Sequence, residues 1–344
     1  MSLTADLYRK KTDDLLLAVN LPYEAGFATA LQNAGSVRNN GYELGLTLTI
    51  LDNKNKNSVG WTTTVNYSHN KNEVLDLGGV TQIFASSVNS DLKLLGSLIQ
   101  VGQPLGVFFG YQAAGLLRDS ASAADYTKAV KPISGNSWRP GDVKLLDLAG
   151  KKDANGVDIG PDGLINADDR TIIGDPNPKF TAGWMNTFSF RSIRLSSMMD
   201  AVSGNKILNL NNVRLEAGSP ATNIIADRYL DAWTPTNTDA AYPRINFTPG
   251  TTGSDITSDL LEDGSFLRLR NVTLDVALPE RFVSRYGFTN TRVYVTGSNL
   301  MTWTHYSGFS PDVSSLGIGN VNRGVDVGQY PLAKSFTFGI NITY

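Results

Sequence analysis

Apolar and polar residues alternate one for one over long stretches of this chain. Tyr42, Leu44, Leu46, Leu48 and Ile50 alternate with Glu43, Gly45, Thr47 and Thr49. Trp61, Thr63, Val65 and Tyr67 alternate with Thr62, Thr64, Asn66 and Ser68, and the chain stops on SFTFGINITY, Ser335 to Tyr344, with the same rhythm. A period of two puts successive side chains on opposite faces of a strand. Phe180–Phe190, Ile193–Ala201, Phe266–Leu278 and Thr291–Trp303 read as strands less strictly, and Asp6–Val19 and Pro104–Gly115 complete a set of about nine.

Many of these segments are longer than an ordinary strand, and a tilted membrane-spanning strand needs ~9–11 residues. The connections fall into two kinds. Arg191-Ser192 is a tight turn and Pro279–Asn290 is moderate, whereas Leu116–Lys179, Ser203–Asp263 and Thr304–Lys334 are long and rich in Gly, Asn, Asp, Ser and Pro. Short turns at one end and long loops at the other describe an outer-membrane barrel. The side of the short connection Leu51–Gly60 depends on how many strands lie between residues 70 and 120. Within the long loops, Ala221–Trp233 has helical periodicity through Ile224, Ile225, Tyr229, Leu230 and Trp233. A soluble antiparallel sandwich shows the same period of two. Three features shift the reading to a barrel: aromatics at strand ends (Tyr42, Trp61, Tyr67, Trp184, Trp303, Tyr344), uncharged inward faces, and asymmetric loops. Lipid offers no hydrogen bonds to an open sheet edge, so a spanning sheet must close.

Composition narrows the function. The net charge of -2 gives no basic footprint for nucleic acid. There is no cysteine, which excludes disulfides, thiolate zinc sites and a Cys nucleophile. No apolar run is long enough for a membrane-spanning helix. The chain opens on Met1-Ser2-Leu3 directly ahead of a strand pattern, with no signal peptide, so an upstream part is expected.

Eight segments in order carry a specific resemblance: DLLLAVNLPYEAGF (Asp14–Phe27), GSVRNNGYELGL (Gly35–Leu46), WTTTVNYSHNKNEVLDL (Trp61–Leu77), VGQPLGVFFGYQAAGLL (Val101–Leu117), DDRTIIGDPNPKFTAGW (Asp168–Trp184), DGSFLRLRNVTLDVALP (Asp263–Pro279), RVYVTGSNLMTWTHYSGFSPDV (Arg292–Val313) and YPLAKSFTFGINITY (Tyr330–Tyr344). Together they resemble the barrel of SusC/RagA-type TonB-dependent outer-membrane transporters. The resemblance implies an all-β fold, an antiparallel transmembrane β-barrel with long extracellular loops, of which residues 1–344 would be one C-terminal segment. A plugged outer-membrane transporter has 22 strands, so about nine cannot close it, and the plug is expected upstream. The implied function is import of oligosaccharides, peptides or other large nutrients across a Gram-negative outer membrane. The implied partners are a SusD-like lipoprotein, the TonB complex reached through the missing N-terminal part, membrane lipid, and a glycan or peptide substrate. The resemblance also gives the last strand a role in closing the barrel and in recognition by the assembly machinery.

Candidate sites are few. DIGPDGLINADD, Asp158–Asp169, has calcium-loop spacing: Asp158, Asp162 and Asp169 take positions 1, 5 and 12, with Gly163 at the turn and Ile165 at the apolar position. Gly160 at position 3 supplies no side-chain oxygen, and Asp147, Asp153 and Asn155 are rival ligands. The family's usual D-x-N-G-D-G run is stretched here, and an Asx/Gly-rich loop that turns without metal is the competing reading. His69 and His305 are expected at the barrel rim. Trp233, Tyr242, Trp303, Tyr306 and Phe309 lie in or beside the long loops, where aromatics either stack on sugars or pack against loops or a partner. No phosphate-loop, zinc-protease or nucleophile-elbow motif is present, nor a paired-carboxylate constellation, so no enzyme is expected. The alternative reading is a soluble or surface-attached antiparallel β-protein that binds glycans, with or without calcium.

Overall fold

The computed structural model describes residues 1–20, 26, 29–53, 57–84, 97–132, 137–212, 223–245, 256–313 and 321–343. Tyr344 and the first two residues of the expected helix, Ala221 and Thr222, lie outside them.

Eight strands form one antiparallel sheet. They are β1 (Ser2–Asn20), β2 (Thr29–Leu51), β3 (Val59–Leu77), β4 (Phe180–Phe190), β5 (Ile193–Ser203), β6 (Phe266–Ala277), β7 (Thr289–Thr304) and β8 (Ser335–Thr343). Each pairs with its neighbours in sequence order, so the sheet is a simple up-and-down meander. Among the described residues β1 and β8 pair only with β2 and β7.

Register turns the alternation of each strand into continuous rows. One row runs Trp61–Phe188–Leu195–Leu274–Val295–Phe338 across β3 to β8. The row one residue along runs Thr49–Thr62–Thr187–Ser196–Thr273–Thr296–Thr337 across β2 to β8 and points to the opposite face. Hydroxyls meet directly within it, as Thr273 Oγ1 and Thr296 Oγ1 do at 2.8 Å. A slip of one residue anywhere would put threonines among the apolar row, so the pattern itself fixes the register. The apolar face is uncovered: Trp184, Leu195, Leu274 and Phe338 are all exposed, Phe338 to 79%. In water a contiguous patch of this extent is untenable; against hydrocarbon it is the ordinary solvent contact of a membrane wall.

Aromatics bound this face. Tyr42 stacks on Tyr67 at 5.8 Å and Tyr67 on Phe180 at 5.4 Å. Towards the other end Trp61 stacks on Phe188 at 5.4 Å. Phe180 and Phe190 lie on the same face of β4, ten residues apart, which is ~34 Å along the strand and about 25 Å in height at the usual tilt. That height matches the apolar band of an outer-membrane barrel.

On the inner face, glycines sit opposite tyrosines. The ring of Tyr294 lies over Gly339, and that of Tyr8 over Gly41, where any Cβ would overlap the ring. Such aromatic cover restores the packing that a strand glycine forfeits.

The 52–58, 191–192 and 278–288 connections share one end. Arg191 adopts a positive φ of 52° in the two-residue turn between β4 and β5, as primed hairpin turns require. Its Nε donates to Asn57 Oδ1 at 3.1 Å, which puts the 52–58 connection at the same end as the 191–192 turn. The connections 78–179, 204–265 and 305–334 leave from the other end and fold together into a cap.

The expected ninth strand, Pro104–Gly115, is a correction. It divides into two short strands, Val107–Gly110 and Ala113–Leu116, that belong to small sheets of the cap. The break falls at Tyr111-Gln112, where Tyr111 turns to another connection: its amide donates to the Ile256 carbonyl at 2.9 Å and its carbonyl accepts from the Ser258 amide at 3.0 Å. The expected helix is also shorter, Ala226–Leu230.

The cap has its own cores. Phe108, Leu208, Leu210, Ile256 and Val325 are buried together and come from all three long connections. A second core gathers Tyr111, Leu117, Ala123, Trp138, Leu145 and Ile165 under a helix, Ser120–Ala129, which starts on a capping box between Asp119 and Ser122.

Candidate functional site

The inner face of the wall is polar and open in two linked concavities. The larger, of about 620 Å³, is lined by Asp6, Glu43, Gly45, Asn66, Gly183 and Asp200 on β1 to β5. The smaller, of about 290 Å³, lies higher under the cap and is lined by Asn39, Asn70, Asn72, Asn177 and Arg323. Ser68 and Thr181 belong to both. Strand geometry positions these groups: Asn66, Ser68, Asn70 and Asn72 are every second residue of β3 and therefore share a face. Gly183 leaves open space where a side chain would stand.

The upper concavity is an amide ladder. Asn70 Nδ2 donates to Asn39 Oδ1 at 3.0 Å, and Tyr8 donates its hydroxyl to Asn70 Oδ1 at 3.3 Å. Asn72 Oδ1 accepts the Leu105 amide at 2.7 Å, and Asn177 Nδ2 donates to the Leu105 carbonyl at 3.0 Å, so the cap is pinned to the wall here. Amides and hydroxyls both donate and accept. A wall of this kind offers hydrogen bonds to sugars or peptide groups without committing to a charge.

The Asp-rich loop folds by capping backbone amides. Asp158 accepts from Gly150 N at 2.8 Å, Gly160 N at 2.9 Å and Lys152 Nζ at 2.9 Å. The Gly150 amide, then Lys152 and the Gly160 amide, hold its carboxyl down to about 2. Asp169 is buried and accepts from Leu148 N, Ala149 N and Asn166 N at 2.8, 3.2 and 2.8 Å. Asp147 takes the amides of Asp162 and Gly163, Asp162 takes that of Leu164, and Asp153 takes those of Asn155 and Val157. Among the described residues, no three His, Cys, Asp or Glu side chains group as metal ligands.

The aromatic candidates separate. Trp233 donates its indole N–H to Arg118 O at 2.8 Å and covers Gly141, so it binds one connection to another, while Tyr242 lies under the Arg228 guanidinium of its own connection at 5.3 Å. Tyr306 is buried and donates to Asp326 Oδ2 at 2.5 Å; burial and that carboxylate push its hydroxyl pKa up. Trp303 stands exposed on the apolar outer face, and Phe309 is 79% exposed in the 305–334 connection. His69, on β3, packs at a tilt against Tyr42 at 5.1 Å, whereas His305 follows β7, so the two histidines lie on different strands at the rim.

Sequence reasoning missed the inner-wall asparagines. Their signal was present as the polar half of the period-two pattern, but polar positions read only as "not lipid" until the cap supplied a ceiling.

Comparison with known proteins gives a consistent answer. Two TonB-dependent receptors of Formosa agariphila are 33% and 34% identical over 100% and 98% of this chain, which covers 32% of each. SusC of Bacteroides thetaiotaomicron is 25% identical over 98% of the chain, covering 30% of that protein. The RagAB peptide transporter structure superposes with a TM-score of 0.74 at 26% identity, over 99% of this chain and 33% of that one. The chain belongs to the SusC/RagA family of TonB-dependent receptors. No family model matches it. As part of a SusC/RagA protein it spans about a third of its relatives' length, and its eight-strand meander is a stretch of their barrel wall with three of the long loops.

Proposed function

We propose that this chain forms the C-terminal wall and outer loops of an outer-membrane, TonB-dependent importer of oligosaccharides, peptides or other large polar nutrients. The observation that carries the reading is the opposition of the two faces: an uncovered apolar outer row and, one residue along, an uninterrupted hydroxyl row inside. The inner concavities line the passage, and the amide ladder under the cap is where a substrate would exchange water for protein hydrogen bonds. A SusD-like lipoprotein covers the cap from outside, and a plug and TonB-contacting segment from elsewhere in the full-length protein couple passage to energy. Transport needs no bond chemistry from these residues, and the reading assigns none.

In this orientation the cap faces outward and the 52–58, 191–192 and 278–288 connections face the periplasm. Epitope tags at Gly156, in an exposed cap turn, and at Ser284 test it on intact cells expressing the full-length protein. Surface labelling is expected at Gly156 and not at Ser284; the reverse would invert the topology. Uptake of the cognate nutrient should vanish without TonB. A protein that stays monodisperse without detergent would instead favour the soluble glycan-binding reading.

A further inference from the structure

The three longest strands rise past the aromatic boundary, and what they display there differs from the rest of the wall. Outward positions of β1 run Leu3, Ala5, Leu7 and then Arg9 and Lys11. Their partners on β2 are Asn40 and Arg38, and the next partners on β3 are Lys71 and Glu73. The row just below is Leu7–Tyr42–His69, the aromatic edge of the apolar face. Two to four residues of strand beyond that edge amount to ~7–13 Å, the depth of a lipid headgroup layer. The outward positions of β4 to β7 at their cap ends are Ala182, Ala201, Leu267 and Trp303, with no charge.

Local pairing leaves a surplus of positive charge. Lys11 meets Asp13 at 2.8 Å and Arg38 meets Glu73 at 2.7 Å. Arg9 and Lys71, both exposed, make no ion pair with any described residue. A cationic patch standing directly on an aromatic belt complements one neighbour above all: the phosphate of a lipid whose chains lie against the belt.

We propose that Arg9, Lys11, Arg38 and Lys71 form a phosphate site for an anionic glycolipid headgroup of the outer leaflet, on the lipid-facing wall at the cap end. The proposal rests on the membrane orientation given above. Its chemistry is a charge-assisted clamp on phosphate oxygens by two arginines and two lysines, with Tyr42 and His69 seating the sugar or glycerol beneath.

The test uses the full-length protein in detergent and native mass spectrometry with bisphosphorylated lipid A, the same lipid dephosphorylated, and inorganic phosphate. The informative variant is Arg9→Ser/Lys11→Ser/Lys71→Ser, whose changes are all on exposed positions. Its control is Lys10→Ser, the neighbour in sequence that register places on the inner face opposite Asn39. At about fivefold per cation near an anionic surface, the triple variant should lose bisphosphorylated lipid on the order of a hundredfold, and Lys10→Ser should lose none. Wild-type protein should prefer the phosphorylated lipid to the dephosphorylated one, and millimolar phosphate should compete only weakly. Equal binding by the triple variant and wild type overturns the proposal, as does equal loss in the control. A triple variant that keeps the lipid but no longer co-purifies with its lipoprotein would make the patch a protein contact instead. Protein that needs no detergent would refute the membrane reading itself, a separate failure.

Discussion

The wall and the cap bury and expose opposite residues. In the wall, large apolar side chains are the exposed ones: Phe336, Phe338 and Ile340 stand out from β8 at 65%, 79% and 56%. In the cap, Phe108, Leu145 and Leu208 are closed off almost completely. One chain therefore folds against two solvents. The wall is held by a hydrogen-bond ladder that lipid cannot rival, and its side chains mostly meet the membrane. The cap is held as a water-soluble domain is, by small cores and by carboxylates that cap loop amides. Substitutions should thus sort by region: losing apolar volume harms the cap, and gaining charge harms the outer wall.

The sharpest way to break the comparison is in the cap. Phe108 joins three separate connections in one core, and a buried Phe→Ala change costs ~3–5 kcal/mol. Phe108→Ala should open 78–179, 204–265 and 305–334 to limited proteolysis together. The barrel should keep its heat-modifiable mobility on gels. If only the 78–179 connection becomes sensitive, the cap is not one cooperative unit.

The wall gives the next largest effect. Leu46 pairs with Val65 and faces outward, while Thr47 pairs with Thr64 and faces inward, their hydroxyls 3.0 Å apart. Arg at a lipid-facing midplane position costs ~2–4 kcal/mol, and far less on a lumen face. Leu46→Arg should lower stability by that amount in denaturant titrations of the folded barrel, with Thr47→Arg close to wild type. Equal losses would contradict the assignment of faces.

These two regions also differ in how much of them could be read from the sequence. All eight wall strands are visible as alternation, less regular in β1 and β4 to β7, and the tight turn at Arg191-Ser192 is visible too. That is because each strand's pattern reports its own two environments without reference to distant residues. The register bulge between Met198 and Met199 is invisible for the same reason: it depends on a partner. The cap was illegible. Phe108 and Ile256 have no local rhythm that tells a core residue from a loop residue, since the core they share draws on three separate connections. Pro104–Gly115 misled because it is as apolar as a wall strand, and only its pairing with other cap segments shows where it belongs. The Asp-rich loop shows a different limit of sequence spacing. Spacing describes where carboxylates fall along the chain, whereas the backbone decides whether their oxygens are already engaged.

That loop supplies the smallest expected effect and tests whether the cap's carboxylates serve amides or a cation. Asp158 is exposed and held to about 2 by the amides of Gly150 and Gly160 with Lys152 between them. Its folded pKa lies below the unfolded one, so the ionised form is the one the fold prefers. Its stabilisation is complete above about pH 4, declines as pH falls, and is gone once pH passes through about 2. A tryptophan or NMR probe in the cap should therefore report local loosening of residues 147–169 over that interval, with the wall unchanged. Asp158→Asn should remove this acid step. Calcium separates the two readings of the loop. To chelate through Asp158, Asp162 and Asp169, an ion would have to take over oxygens now held by the amides of Gly150, Leu164, Leu148 and Asn166. Each hydrogen bond so released is worth about 0.5–1.5 kcal/mol, the part-buried amides of Leu148 and Asn166 costing more than the exposed ones of Gly150 and Leu164, and weak coordination would not offset their sum. Calorimetry at millimolar Ca²⁺ is then expected to show no binding heat, and Asp169→Ala should loosen the loop equally with or without the ion. A binding isotherm abolished by Asp162→Ala would return the loop to the calcium reading.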